Sequence, residues 1–365
     1  MNVAAHNLPL KPEHQMIKIY FHRSKVYIYT DNLEFMKKRY KVLIGFSVLI
    51  IAGYLLGPKP KKPMYDTSLA SVPDIQDLDD YVSAMEKANK LKPGNEAEIV
   101  WADSSHQQTE YAVVYLHGFS ASKMEGNPVH LNLAKALNAN LYLARLADHG
   151  VDTVAPMQYF TADRLWETSK QAYAIGQKLG KKVILVGAST GGTAALKLAS
   201  TYPKINSLIL MSPNVAINDR NAWLLNDPWG LQIARRVLGS DERKVDGRTA
   251  VYKKYWYTNY RIESLVELQE FVESTMNKSV FEKVKQPVLL LYYFKNELEQ
   301  DPVVRVDAML KMFNDLGTPD DLKRKVAIPN AGNHVLGSYL TSKDLPSVEI
   351  AINSFLESVL KEPIH

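Results

Sequence analysis

An alternation narrows the fold of this chain more than any other feature: short, nearly uninterrupted apolar runs recur, each followed by a stretch with helical spacing. Tyr111–Leu116, Asn140–Leu146 (NLYLARL), Lys182–Val186 (KVILV), Ile205–Met211 (INSLILM), Pro287–Tyr293 (PVLLLYY) and Arg324–Ile328 (RKVAI) read as strands. Val129–Leu137, Ala162–Leu179, Thr193–Tyr202, Val304–Leu316 and Ser347–Leu360 read as helices. A strand apolar on both faces needs cover on both, so the pattern predicts an α/β fold with a doubly wound, mostly parallel sheet. Glu98–Ala102, separated from Tyr111 by a polar turn, predicts a hairpin with the strand that follows. From about Asn218 to Lys278 the alternation stops. That stretch has no strand run, and it carries Trp223, Trp229, Tyr252, Tyr255, Trp256, Tyr257, Tyr260 and Phe271. It predicts a helical cap inserted above the sheet.

At 365 residues the chain has ample core for folding without staples, and with no cysteine it has no thiol nucleophile, disulfide or Cys-ligated metal. The net charge of +5 invites a nucleic-acid reading until it is divided along the chain. Met1–Pro63 holds eleven Lys/Arg against three Asp/Glu, and the remainder 33 against 36. The basicity therefore belongs to the leader, and nucleic acid is not an expected partner.

In that leader Lys37, Lys38, Arg39 and Lys41 precede the apolar run Val42–Leu56 and a Pro/Lys spacer ending at Pro63. This is the order of a charged and then an apolar segment in a signal or signal anchor. Fifteen helical residues span about 22 Å against a hydrocarbon core of ~30 Å. An uncleaved N-terminal membrane anchor is expected, with a cleaved signal and a buried core helix as alternatives. Four positive charges before the run against three after weigh weakly for a catalytic domain outside the cytoplasm. Residues 1–35 fit no pattern and read as a non-native or disordered extension, with translation starting at Met36. Residues 36–63 are then the leader and 64–365 the main domain.

Chemistry first shows at Gly187-Ala188-Ser189-Thr190-Gly191, a G-x-S-x-G set between an apolar strand and a helix. A serine on so tight a turn needs tiny neighbours two positions either side. Upstream, Leu116-His117-Gly118-Phe119 ends an earlier strand. The backbone N–H groups of Phe119 and Thr190 are the natural pair to hold a developing oxyanion, with His117 bracing the loop. A hydroxyl nucleophile needs a base, and only His334 and His365 follow Ser189. His334, after the last strand, is that base. His149, which precedes Ser189, shapes a pocket loop. The orienting acid is sought after PVLLLYY among Glu297, Glu299 and Asp301. Asp301, directly before Pro302-Val303-Val304 and the next helix, is favoured, and Glu297 comes next. Trp223, Trp229 and Trp256 are candidates for an apolar substrate wall.

In order, His117-Gly118-Phe119, Asp148-His149-Gly150, the G-x-S-x-G at Ser189, Asp301-x-x-Val304 and Asn333-His334 resemble the α/β-hydrolase family. The resemblance is strongest to its monoacylglycerol lipase, lysophospholipase and bacterial carboxylesterase branch, and it covers roughly Tyr111 to Leu360. It implies an eight-stranded-type sheet with a cap after strand six and a Ser-His-Asp triad that cleaves esters through an acyl-enzyme. No metal or organic cofactor is required. The acid loop is longer than the family's short turn, and the family does not require the leader. The expected partners are an apolar ester substrate and, through the leader, a membrane. An acyltransferase or amidase with the same triad, or an inactive fold used for binding, are the alternatives.

Overall fold

The computed structural model describes residues 17–21, 24–28 and 31–362, with side chains from residue 37 onward. It divides into two units, Met1–Pro58 and Lys59–His365. In the first, strand β1 (Ile17–Phe21) pairs antiparallel with β2 (Ser24–Ile28), and helix α1 runs over Asp31–Leu55. Residues 1–16, 22–23 and 29–30 of the expected extension lie outside the described residues, as does the question of the start site. Helix α1 takes Lys37, Lys38, Arg39 and Lys41 into its own body and ends at Leu55. That leaves an apolar length of about 21 Å against the ~30 Å needed. Among the described residues no helix is long and apolar enough to cross a membrane. The membrane-spanning anchor expected from the leader therefore finds no support.

The second unit begins with α2 (Leu78–Lys87), β3 (Glu98–Val100), β4 (Thr109–Leu116), α3 (Val129–Ala136) and β5 (Asn140–Leu143). It continues through α4 (Ala162–Leu179), β6 (Gly180–Ala188), α5 (Thr190–Thr201) and β7 (Ser207–Met211). The insertion then contributes α6 (Gly230–Leu238), β8 (Glu242–Lys244), α7 (Ala250–Tyr255), β9 (Asn259–Arg261), α8 (Ile262–Thr275) and α9 (Lys278–Phe281). The chain returns with β10 (Val288–Tyr292), α10 (Val306–Asp315), β11 (Lys323–Ala327) and α11 (Leu345–Phe355).

Seven strands form the main sheet in the order β11-β10-β7-β6-β4-β5-β3, all parallel except β3, which runs antiparallel to β5. Two expectations change. Glu98–Val100 makes no hairpin with β4; it pairs with β5, because a short edge strand takes whichever neighbour the sheet leaves open. The sheet also has seven strands among the described residues where the resemblance implied eight. The insertion is helical as expected except for the ribbon β8–β9, whose strands Glu-Arg-Lys and Asn-Tyr-Arg are too short and too charged to show as apolar runs.

Alternate residues of each strand serve opposite layers. Ala112, Val114 and Leu116 of β4 join the core under α4 and α5, and Tyr111, Val113 and Tyr115 join the core under α3 and α11. Double burial explains why these strands read as continuous apolar runs. From β4 the chain steps to β5 on one side, then crosses to β6 on the other. Loops leaving β4 and β6 thus diverge at a crevice, the switch point at which open α/β sheets place their sites.

Candidate active site

Ser189 sits where β6 turns into α5, with φ 50° and ψ −119°, a conformation that non-glycine residues adopt only when their surroundings enforce it. Here the surroundings do. Its N–H donates to Met211 O at 3.0 Å, and its carbonyl accepts from Asn214 N at 2.9 Å. A Cβ at Gly191 would lie 1.9 Å from Leu116 O, and one at Gly187 would lie 2.6 Å from Gly191 O. The turn therefore closes only with glycine at both positions, which is the physical content of the motif.

The loop after β4 is braced by two buried histidines. His117 Nε2 accepts from Leu146 N at 3.1 Å, which makes its Nδ1 the donor to Gly118 O at 2.9 Å. His149 Nε2 accepts from Ser120 N at 3.0 Å, and its Nδ1–H donates to Ala147 O at 2.8 Å. Burial lowers the pKa of His117 to about 4 and that of His149 well below the ordinary range, so both stay neutral. Within Gly118–Ala121, Gly118 N–H goes to Glu125, Ser120 N–H to His149 and Ala121 N–H to Gly118 O. Among the described residues Phe119 N–H is the amide of this stretch without a protein acceptor. Its ring is held edge-on by Phe160 and Tyr260, with centroids 5.4 and 5.2 Å away. Thr190 N–H lies in the first turn of α5, where a helix has no internal acceptor to offer.

Asp301 and His334 meet at the ends of β10 and β11. Asp301 Oδ2 and His334 Nδ1 are 2.6 Å apart, and Asp301 Oδ1 accepts from Val303 N at 2.9 Å and Val304 N at 3.1 Å. Burial alone would raise the Asp301 pKa, but the charge and hydrogen bond of His334 and these two N–H groups outweigh it and hold the carboxyl below its usual range. Burial would likewise lower His334, and the charges of Asp301 and Glu125 carry it above the usual imidazole value. The long acid loop folds back on itself: Phe294 bridges Gln300, Lys295 pairs with Glu299 at 2.5 Å, and Asp301 N donates to Tyr293 O at 3.1 Å. Asp301 thereby lies at the end of the excursion, close to the strand end, and Glu297 and Glu299 remain exposed on it.

Ser189 and His334 are both nearly buried, at 8% and 9% exposure. Among the described residues no hydrogen bond joins them. Trp256 is buried against Ala121 and Val335, with Met124, Tyr252, Tyr255 and Leu340 around them, so it flanks both the β4 loop and the residue after His334. Trp223 and Trp229, by contrast, are 52% and 41% exposed and take no part in that cluster. One carboxyl that no motif marked, Glu125, is buried beside Gly118. A groove of about 430 Å³ between β11 and α11, lined by Arg324, Ile328, Ile350 and Phe355 among others, includes none of these residues. Among the described residues no group of three or more His, Asp or Glu side chains is placed to hold a metal ion.

A model of the "Alpha/beta hydrolase family" matches residues 113–341. A search of curated proteins finds no match. Among solved structures, one reported for LipS and LipT, metagenome-derived lipolytic enzymes, is similar at 17% identity with a TM-score of 0.57, covering 75% of this chain and 100% of that one. A thermostable carboxyl esterase from Bacillus coagulans is similar at 15% identity with a TM-score of 0.52, covering 74% of this chain and 97% of that one. At such identities the likeness is one of fold. With the strained serine elbow, the sheet order and a family match over more than half its length, the chain belongs to the alpha/beta hydrolase family.

Proposed function

We propose that this protein is a serine hydrolase that cleaves carboxylic esters through Ser189, His334 and Asp301. The observation carrying this reading is the buried 2.6 Å hydrogen bond between Asp301 and His334, set at the strand ends of the same sheet that presents Ser189 on its elbow. In the proposed reaction Ser189 Oγ attacks the acyl carbonyl as its proton passes to His334 Nε2, and the carbonyl oxygen gains the electron pair. The N–H groups of Phe119 and Thr190 hold that oxyanion. Collapse expels the alcohol, which takes the proton from His334. Water then gives a proton to His334 as its oxygen attacks the acyl-enzyme carbonyl, and collapse releases the acid while His334 returns that proton to Ser189 Oγ. Asp301 keeps Nδ1 protonated throughout, so that Nε2 is the basic nitrogen.

An apolar acyl group is the proposed substrate portion, supported by the apolar cluster of Ala121, Trp256, Val335 and Leu340 beside the β4 loop. The proposed role of the leader is delivery of the catalytic unit out of the cytoplasm, supported by the basic residues ahead of Val42–Leu56; protease protection in intact cells tests it. For the activity, a fluorophosphonate probe should label the full-length protein and p-nitrophenyl butyrate should be hydrolysed, with both lost on Ser189→Ala. Labelling that survives the substitution would end the proposal.

A further inference from the structure

Glu125 has no part in the chemistry above, yet it is buried at its centre. The residue is 3% exposed. Its Oε2 accepts from Gly118 N–H and, at 3.5 Å, from the Tyr115 hydroxyl. Gly118 separates it from the nucleophile: a Cβ there would stand 2.7 Å from Glu125 Oε1 and 2.9 Å from Ser189 Cβ. The carboxyl and the serine thus face each other across one glycine that has room for no side chain. The other titratable groups facing Glu125 are Tyr115 on β4, Tyr252 on α7, His334 after β11 and, beyond Gly126, His130 on α3.

Two consequences follow from this placement. A trans peptide points its C=O and N–H in opposite directions. Gly118 O is held inward by His117 Nδ1–H and Ala121 N–H, so the Phe119 N–H of the same peptide is turned outward. Glu125 fixes the preceding peptide through Gly118 N–H, so both planes flanking Gly118 are locked. Both hydrogen-bond partners of Glu125 are also donors, which serves the ionised carboxylate, an acceptor only. Burial pushes its pKa up to about 7, against the pull of Gly118 N–H and of the charge on His334.

We propose that Glu125 is a positioning residue of the active site, pinning the β4 loop so that Phe119 N–H faces the substrate carbonyl. The proposal rests on Ser189 being the nucleophile.

The test uses the full chain with Glu125→Gln and Glu125→Leu, reading kcat and KM for p-nitrophenyl butyrate from pH 5 to 9, the fluorophosphonate labelling rate, and the melting temperature. Glutamine keeps an acceptor for Gly118 N–H but lacks the charge. With that hydrogen bond kept, kcat should stay within about tenfold of wild type. Leucine loses the acceptor too, and kcat should fall about a hundredfold with KM within about twofold and labelling slowed in parallel. A Glu125→Leu protein with wild-type kcat, or a Glu125→Gln protein as impaired as Glu125→Leu, would overturn the proposal. Should Glu125→Leu fail to fold, Glu125→Ala, which also lacks the acceptor, is read in its place. Ester hydrolysis surviving Ser189→Ala would instead refute the serine-hydrolase reading, an outcome these variants do not mimic.

Discussion

Replacing Asp301 by asparagine tests the geometry of the site most sharply, because the structure dictates which way the amide must face. Asp301 Oδ1 accepts two backbone N–H groups, from Val303 and Val304, and Oδ2 faces His334 Nδ1. An asparagine carbonyl must take over the first position, since an NH2 group there would confront two donors. Its NH2 then points at His334 Nδ1, which has to become an acceptor. The imidazole proton is driven to Nε2, the atom required to accept from Ser189. With the base in the wrong tautomer, kcat should fall about 10⁴-fold, or about 5 kcal/mol in the barrier. Folding should survive, because volume and the two N–H contacts are kept. The stability change has a definite sign. The Asp301 carboxyl is held below its usual pKa, so its ionised form stabilises the fold at neutral pH and that contribution is lost as pH falls through the lowered value. The variant should therefore melt below wild type at pH 7, and the two should converge in acid. Burst-phase and steady-state turnover of a p-nitrophenyl ester, with melting curves across pH, read both effects. An Asp301→Asn enzyme within tenfold of wild type, or a Glu297→Gln enzyme as crippled as Asp301→Asn is expected to be, would refute the argument.

The pH profile follows from His334, which burial would lower but the charges of Asp301 and Glu125 raise above 6.5: the acid limb of kcat/KM should titrate above that value, and a limb below it would contradict the site. A group raised in the folded state stabilises below its unfolded pKa and loses that contribution as pH rises through the folded one, so activity should appear over the range where this part of the stability fades. Gly191→Ala places a Cβ 1.9 Å from Leu116 O and should cost about 3 kcal/mol in urea denaturation; a cost under about 1 kcal/mol would mean that the elbow is looser than described. Over p-nitrophenyl esters from acetyl to octanoyl, kcat/KM should rise by up to about 0.8 kcal/mol per methylene before levelling. Trp256→Ala should flatten that rise and the exposed Trp223→Ala and Trp229→Ala should not, whereas a series indifferent to Trp256 would remove the apolar wall.

Much of this was legible because double burial writes itself into sequence. The strand runs ending at Leu116, Met211 and Tyr293 end within one residue of the strands formed. What escaped was decided by partners far along the chain. Helix α5 begins at Thr190 and not at Thr193, since Gly191 and Gly192 depress helix propensity yet are demanded by packing against Leu116 and Pro213. The acid was ambiguous while its loop was a string of carboxylates; in the fold Phe294 closes on Gln300, Asp301 lies against His334, and Glu297 and Glu299 stay exposed. Glu125 left no trace, because a lone glutamate eight residues past His117 has no spacing to mark it and only the fold brings it to Gly118. For the leader, helix α1 carries Lys37, Lys38, Arg39 and Lys41 in its body, and among the described residues no helix is long and apolar enough to cross a membrane.

These features converge on one economy of construction. The proposed oxyanion donors and the proposed base with its acid are each fixed by buried hydrogen bonds to neighbouring backbone: His117 and His149 for the β4 loop, Met211 and Asn214 for the elbow, Val303 and Val304 for Asp301. None of these bonds involves a substrate, so the polar groups are oriented before one arrives and little reorganisation falls to the reaction itself. The cap joins the same framework, since Tyr257 N–H donates to Ser120 O at 2.8 Å and Tyr260 packs edge-on against Phe119. A cap so tied is more than a cover. Disturbing Tyr260 should loosen Phe119, the residue proposed to supply an oxyanion donor, and the loss should fall on kcat, whereas a cap residue that only touched the acyl chain would show itself in KM.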